Sequence, residues 1–528
     1  MPTLEELEAV ARGAAPPPPL DDGDRARIAA ARGVVEDALR SGRTVYGVNT
    51  GFGDLVTVSI AAEDTAQLQL NLIRSHAVGS GEPLSDEIVR GMVLLLSSSL
   101  RRGRSGVRQE VVELLLALLE RGVTPVVPSR GSVGSSGDLA PLAHLALVLI
   151  GEGEALDNDD GEHTGRNGRE ANTGTEEHAL RFSRAWRSVS GAEALSRAGL
   201  TPIRLGPKEG LALINGTQPS TAMLALALAG AEQTARAADI AAALSIDALR
   251  GSIHPFDPRI HAARPFAGQR ISAANIERLV SAEGGSAVNR SHRGCGRVQD
   301  AYSMRCAAQV HGATRDALRF ARDTVAIEAN SATDNPMVFA DSGEIVSGGN
   351  FHGAPVAIAA DLVAAAIVPL ATISERRTDR LVDPTLSGLP PFLTEHGGLR
   401  SGLMMAQVTA AAVASELKTL AYPAGADTIP TSANKEDHVS MSMGAALKAE
   451  RAVARAREVV AVELLCACQA IDLLAPLTTS PPLARVHALV RSRVPRLDDD
   501  RPPSPDITAI AELIDAAALE RACGELVK

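Results

Sequence analysis

The sequence predicts a mainly α fold, a long-helix central bundle with a smaller mixed N-terminal region ahead of it. Three observations carry that reading. Residues 210–249, 353–418 and 450–474 are long alanine-rich runs with helical periodicity and few turn signals. Small side chains let such helices approach closely around one core. Strand-like pieces are short, 44–48 and 125–128 among them, and no internal repeat is visible.

In chain order, Pro16 to Pro19 make a stiff turn before an amphipathic helix that opens near Asp24. Residues 85–121 form helices broken around Gly103 to Gly106. A segment from about 156 to 177, rich in Asp, Asn, Gly, Glu and Thr, holds too few apolar residues to fold alone and is expected to be a solvated insertion. The only tryptophan, Trp186, follows it. These changes of texture divide the chain into an N-terminal region over 1–200, the helical bundle over 201–480 and a C-terminal helical segment over 481–528.

With 45% hydrophobic and 22% charged residues among 528, the chain can bury a large core. A formal charge of -11 and the lack of any Lys/Arg-rich run argue against nucleic acid as a partner, so a small substrate is expected. Cys295, Cys306, Cys466, Cys468 and Cys523 are too unevenly placed for a disulfide framework; they are expected to be reduced core thiols, with no metal site. The N-terminus is acidic where a signal peptide is basic, and the most membrane-like stretch, 354–373, is interrupted by Asp361 and Pro369. A cytoplasmic protein without a membrane span is the expectation.

The chemistry starts in Gly131-Ser-Val-Gly-Ser-Ser-Gly-Asp-Leu-Ala-Pro-Leu-Ala-His144. Taken alone, a Gly/Ser loop before Asp138 and an apolar run with an early proline is an ordinary helix start, with Asp138 as its N-cap. The same residues can also make an electrophile. If the Gly137 amide nitrogen attacks the Ser135 carbonyl carbon and water leaves, and Ser136 loses its hydroxyl in a second water, the backbone closes into a 4-methylidene-imidazol-5-one ring. Its exocyclic carbon attracts nucleophiles, as expulsion of an amine from an unactivated amino acid requires. The attacking nitrogen must reach a carbonyl two residues back, which a Cβ at 137 would obstruct.

Only three tyrosines occur, Tyr46, Tyr302 and Tyr422. Tyr46 lies in Thr-Val-Tyr-Gly-Val-Asn-Thr-Gly-Phe-Gly, where Gly47, Gly51 and Gly53 can form a tight loop that carries a phenol over a pocket. A packed tyrosine beside a turn is the plainer alternative. Gln299, Tyr302 and Arg305 are spaced by three and would share one helix face, able to clamp a carboxylate or simply facing water.

Four further segments accompany these: Lys208-Glu-Gly-Leu-Ala-Leu-Ile-Asn-Gly-Thr-Gln218, Asn330-Ser-Ala-Thr-Asp-Asn-Pro336, Gly348-Gly-Asn-Phe-His352 and Ile429-Pro-Thr-Ser-Ala-Asn-Lys-Glu-Asp-His-Val-Ser-Met441. Together and in this order the motifs resemble those of the aromatic amino-acid ammonia-lyase and aminomutase family over nearly the whole chain. The resemblance implies a mainly helical homotetramer whose active sites draw residues from several subunits. It implies a ring formed autocatalytically from Ser135, Ser136 and Gly137 in the N-terminal region, with no external cofactor. Tyr46 matches the base that takes the β-proton, and Arg305 the holder of the substrate carboxylate. Asn215, Gln299 and Tyr302 match polar groups around ring and substrate, and Phe351 a pocket residue near the ring.

Within the family, Ser75-His76 is the pair of the histidine-active members, and Glu436 matches the acid that they offer to the substrate ring. A carboxylate can accept an imidazole N–H but gains nothing from a phenyl ring, and burying it unpaired costs about 1 to 3 kcal/mol. A satisfied core histidine and a helix N-terminal acid are the plainer alternatives. The expected reaction is elimination of ammonia from L-histidine to give trans-urocanate, the first step of histidine degradation. A tyrosine or phenylalanine lyase or aminomutase is the alternative within the family, and a catalytically silent helical scaffold the alternative outside it. Three positions depart from the family pattern: Ser135 for alanine at the first ring position, Arg74 for an apolar residue, and Ala301 for proline before Tyr302. The insertion at about 156–177 is also longer than the compact pattern.

Overall fold

The computed structural model describes residues 2–51, 60–157, 187–292, 294–296, 298–524 and 526–527. Gly53, Trp186 and all but the first two residues of the polar segment lie outside them. Helices dominate, as expected. The described strands form three two-stranded antiparallel pairs, Ser80–Pro83 with Pro128–Arg130, Glu154–Leu156 with Ser188–Ser190, and Met337–Phe339 with Glu344–Val346. The chain forms two compact units, one holding residues 1–226, 322–360 and 424–447, the other 227–321, 361–423 and 448–528.

In the first unit local sequence sets the helix starts. Reciprocal side-chain-to-backbone bonds cap Leu4–Ala11 through Thr3 and Glu6, and Asp22–Arg40 through Asp21 and Asp24. Asp86–Leu100 and Gln109–Arg121 are separated around Gly103 to Gly106, as their pattern predicts. Residues 44–48, expected as a strand, are instead a turn in which the Val48 and Asn49 amides both donate to the Val45 carbonyl, at 3.1 and 3.2 Å. The reason is packing. Val45 and Val48 both enter a cluster with Ala31, Val34, Val35, Ala38 and Val338, whereas a strand would point residues three apart to opposite faces. Of residues 125–128, Pro125 makes an isolated bridge to Ala155 and the Val126 amide donates to the Glu154 carbonyl, while the Val127 carbonyl accepts from Leu84 and the ladder with Ser80–Pro83 begins at Pro128, so the segment changes partner within four residues.

The long helical runs are interrupted more than their composition predicts. Residues 210–249 split into Glu209–Ile214 and Gln218–Ala248, and 353–418 into Ala354–Val382 and Met404–Leu420 with Pro384, Gly388, Pro390 and Pro391 between. By length and composition Ala354–Val382 could cross a membrane, but 56% of its most apolar window is already buried in the protein, as in a core helix.

The second unit buries paired charges among small side chains. Arg377 meets Glu463 with Nε at 2.5 Å from Oε1, and the hydroxyls of Ser245 and Ser374 donate to the same carboxylate at 2.7 and 2.6 Å. Asp239 is shared by His311, Arg315 and Asn275. Each carboxylate is thus fully partnered, which removes most of the penalty for leaving water. Helices Ala267–Ser281 and Ala307–Glu328 touch where a Cβ on Gly312 would lie 2.3 Å from the Gln269 nitrogen, so only glycine admits that crossing. Cys466 and Cys468 are buried and their thiols are pushed up by burial, Cys468 to about 12.

Asp247 is less well served. Its Oδ2 accepts from Ser286 Oγ at 2.8 Å and Thr479 Oγ1 at 2.5 Å, while its Oδ1 is buried without a partner among the described residues. Burial pushes this carboxyl up to about 6 from 3.8, against the bonds from Thr479 and Ser286. The folded protein therefore holds the proton more tightly than the unfolded chain, and about 3 kcal/mol of stability present below pH 4 is lost as pH rises through 6. Asp247→Asn is expected to raise Tm at pH 8 and to lose that advantage towards pH 4. An equal shift at both pH values in thermal scans would show that this carboxyl does not titrate in that window.

Candidate active site

The 131–138 loop is held from both sides. The Gly134 carbonyl accepts from Ser440 Oγ at 2.9 Å, the Met441 amide donates to the Val133 carbonyl at 2.8 Å, and the Asp138 amide donates to the Gly216 carbonyl at 2.8 Å. Both bends need glycine: Gly134 has φ +66° and Gly137 φ +75°. A Cβ on Gly137 would lie 2.2 Å from the Gly216 carbonyl oxygen, and one on Gly134 2.2 Å from Ser440 Oγ. Ser135 and Ser136 are half-buried between these bends. A sharply folded backbone with no room for a side chain at 137 fits closure into a methylidene-imidazolone ring.

Asp138 sits at the expected N-cap position of Leu139–Leu149 but makes no side-chain cap bond to it. That helix carries Pro141 at its third position, which removes one of the two amides that an N-cap side chain can reach. The fully buried Asp138 carboxylate instead accepts from Ser132 Oγ at 2.6 Å and from the Ser220 amide at 2.9 Å, in the first turn of Gln218–Ala248. Burial pushes this carboxyl up, and the bonds from Ser132 and Ser220 oppose the rise.

Ser136 Oγ donates to Asn215 Oδ1 at 3.1 Å. Asn215 ends helix Glu209–Ile214 and its Nδ2 faces two acceptors, Asp334 Oδ1 at 3.4 Å and the Asn335 carbonyl at 3.2 Å. Those acceptors decide which way the amide points and leave its oxygen towards Ser136.

Tyr46 is half-buried, between the anchored Val45 and Val48, in a turn with Gly47 at φ +71°. Buried Gln69 ties this turn to the same short helix: its Nε2 donates to the Gly47 carbonyl at 3.2 Å and its Oε1 accepts from the Leu211 amide at 3.2 Å. His76 is the last residue of Thr65–His76, with Nδ1 2.8 Å from the Leu72 carbonyl. A carbonyl can only accept, so Nδ1 carries the hydrogen and Nε2 of the neutral ring is an acceptor. Gly79, just beyond, donates its amide to His144 Nε2 at 3.0 Å, and burial lowers the His144 pKa, which keeps that nitrogen available.

Glu436 lies in a hairpin rather than at a helix start. Its Oε2 accepts from Thr431 Oγ1 at 2.6 Å and Ser432 Oγ at 2.8 Å, while backbone bonds pair Thr431 with Glu436. Phe351 is half-buried beside His352, whose ring stacks on His438 with centroids 5.8 Å apart and whose Nε2 is 3.1 Å from the His438 carbonyl. The Phe351 segment and the Glu436 hairpin are thereby joined.

Gln299, Tyr302 and Arg305 belong to the second unit, and they do not share a helix face. The helix begins only at Tyr302, after extended Ala301, so Gln299 stands outside it and exposed. The pair at spacing three survives, with the Arg305 guanidinium 4.5 Å from the Tyr302 ring centroid and its Nε donating to the Asp300 carbonyl at 3.0 Å. Ala301 has φ -64° and ψ 156°, a conformation that proline also adopts, so its departure leaves the backbone unchanged. Arg74 pairs with Glu152 at the surface.

Sequence reasoning left Gln69, Lys208, Asp334 and Ser440 without roles. The last three stood inside the quoted motifs, and a polar residue in an otherwise apolar or glycine-rich motif was the available signal. Gln69 carried none.

Residues 3–492 match the family described as aromatic amino acid lyase. The chain is 52% identical to a histidine ammonia-lyase of Anaeromyxobacter sp. (strain K), across 98% of each chain. Among solved structures, histidine ammonia-lyase from Trypanosoma cruzi superposes with a TM-score of 0.87 at 40% identity, over 99% of this chain and 93% of that one. Tyrosine aminomutase from Streptomyces globisporus does so with 0.88 at 34% identity, over 99% and 96%. By sequence over nearly its whole length and by fold, the chain belongs to the aromatic amino acid lyase family.

Proposed function

We propose that the chain is a histidine ammonia-lyase that converts L-histidine into trans-urocanate and ammonia, acting in the cytoplasm as a homotetramer with shared active sites. The observation that carries this reading is the glycine-bracketed Ser135-Ser136-Gly137 loop with Ser136 against Asn215, in a chain half identical to a histidine ammonia-lyase. Closed into 4-methylidene-imidazol-5-one, these three residues supply the electrophile that makes the substrate amine a leaving group, with no external cofactor.

The remaining residues bind, orient and move a proton. Tyr46 takes the β-proton; a phenol does so near neutral pH only where neighbouring positive charge or donors stabilise its anion. The Arg305 guanidinium holds the substrate carboxylate, and Gln299, Tyr302 and Asn215 contribute hydrogen bonds around the reacting atoms. Phe351 packs against the substrate. The second oxygen of Glu436 accepts the imidazole N–H, which a phenyl ring lacks, and His76 borders the substrate ring.

The direct test is the ultraviolet absorbance of conjugated urocanate when purified protein meets L-histidine. Silence with histidine and turnover of tyrosine, or a β-amino acid as product, would overturn the assignment. Selectivity gives a second test. Glu436→Gln is expected to lower kcat/KM for histidine about tenfold, since a charge-assisted bond becomes neutral, and that for phenylalanine less. Adding His76→Phe is expected to raise the phenylalanine-to-histidine ratio further. An unchanged ratio would mean that neither residue reads the ring.

A further inference from the structure

The Asn215 amide is backed by a buried ion pair. Lys208 and Asp334 are almost wholly inaccessible to solvent, and Lys208 Nζ lies 2.6 Å from Asp334 Oδ2. The other carboxylate oxygen, Oδ1, faces Asn215 Nδ2 and also accepts from the Asn335 amide at 2.7 Å. Lys208 and Asn215 flank the two ends of helix Glu209–Ile214, so Asp334 clamps both ends at once. Lys208 itself is held at φ +71°, a region that residues with a Cβ seldom occupy. A buried pair of charges adds little net stability, and a strained lysine adds none, so stability alone gives a poor account of this arrangement.

We propose that Lys208 and Asp334 are positioning residues for ring closure: together they hold Asn215 with its oxygen towards Ser136, and so hold the Ser136 hydroxyl in one rotamer while the loop cyclises. The inference rests on the ring reading above. In closure the Gly137 nitrogen bonds to the Ser135 carbonyl carbon, whose oxygen leaves as water with the amide hydrogens of Ser136 and Gly137. Ser136 then loses its Cα hydrogen and its whole Oγ–H group as a second water, so no oxidant or co-reactant is consumed. An Asn215 amide free to turn would offer Ser136 a donor in place of an acceptor. Asp334→Asn weakens that hold by removing the charge that Nδ2 faces, leaving the Asn335 carbonyl as the neutral acceptor, with almost no change of shape.

The experiment follows the intact mass of the full-length chain, sampled at intervals from a cell-free synthesis, with protease resistance of the same samples reporting the folded fraction. The wild type should become two waters lighter as it folds. In folded Asp334→Asn and Lys208→Met chains the loss should be slowed about tenfold or more, the effect of removing a charged hydrogen-bond partner. If the wild type keeps its translated mass, the ring reading itself fails. If it loses two waters and the folded variants lose them as fast, only the positioning inference fails. Variants that never become protease-resistant would also overturn it, because the pair would then be a folding element.

Discussion

Ser136→Ala is expected to fold and to be inert towards L-histidine, with turnover reduced at least about a thousandfold, as when a group on which a whole constellation depends is removed. Among the described residues its hydroxyl makes one hydrogen bond, to Asn215, and Asn215 keeps its acceptors Asp334 and Asn335 without it, so the cost in stability should be about 1 kcal/mol. The bends at Gly134 and Gly137 do not depend on that side chain, because the neighbours Ser440, Met441 and Gly216 impose them through backbone and hydroxyl contacts. Mass spectrometry should find the native chain two waters lighter than its translated mass and place the loss in residues 135–137 after proteolysis. The alanine chain has no Oγ to lose and must lack the dehydration. A native chain at its full translated mass would point to a silent scaffold, and an active Ser136→Ala enzyme would remove the ring from the mechanism.

The loop was legible because its chemistry names its residues: a hydroxyl that can be eliminated, and a glycine whose nitrogen can reach back. The helical class was legible as well, from alanine-rich periodicity. What was not legible is what holds these parts in place. Ser440 meets Gly134 across 306 positions and Asp138 meets the Ser220 amide across 82, and no local spacing encodes such pairs. An acid before an apolar run reads as the cap of the helix that follows it, yet the Asp138 carboxylate bonds to Ser132 and to the first turn of another helix, while Pro141 takes one amide away from its own. The same limit explains 44–48. Three β-branched residues and a tyrosine have strand propensity, but burial of Val45 and Val48 on one side outweighs it. The Gln299, Tyr302 and Arg305 spacing promised one face, and extended Ala301 broke it.

That turn around Tyr46 makes the remaining prediction a sharp one. Tyr46→Phe is expected to lower kcat and kcat/KM together by about 10²- to 10⁴-fold, the range for loss of a general base, with KM little changed. Folding should survive, since the loop is fixed by Val45 and Val48 in the core and by Gln69 on the Gly47 carbonyl, and the variant keeps the aromatic ring. The companion variant Tyr302→Phe separates two roles that a phenol can fill. Tyr302 is 70% exposed and stacks on Arg305, so its loss should act on carboxylate binding and appear mainly in KM. If steady-state kinetics instead show near-normal turnover for folded Tyr46→Phe and a collapse of kcat for Tyr302→Phe, the proton passes to Tyr302. The 44–50 turn would then be a wall of the pocket, and the glycine at 47 a device for folding it, with no part in the chemistry.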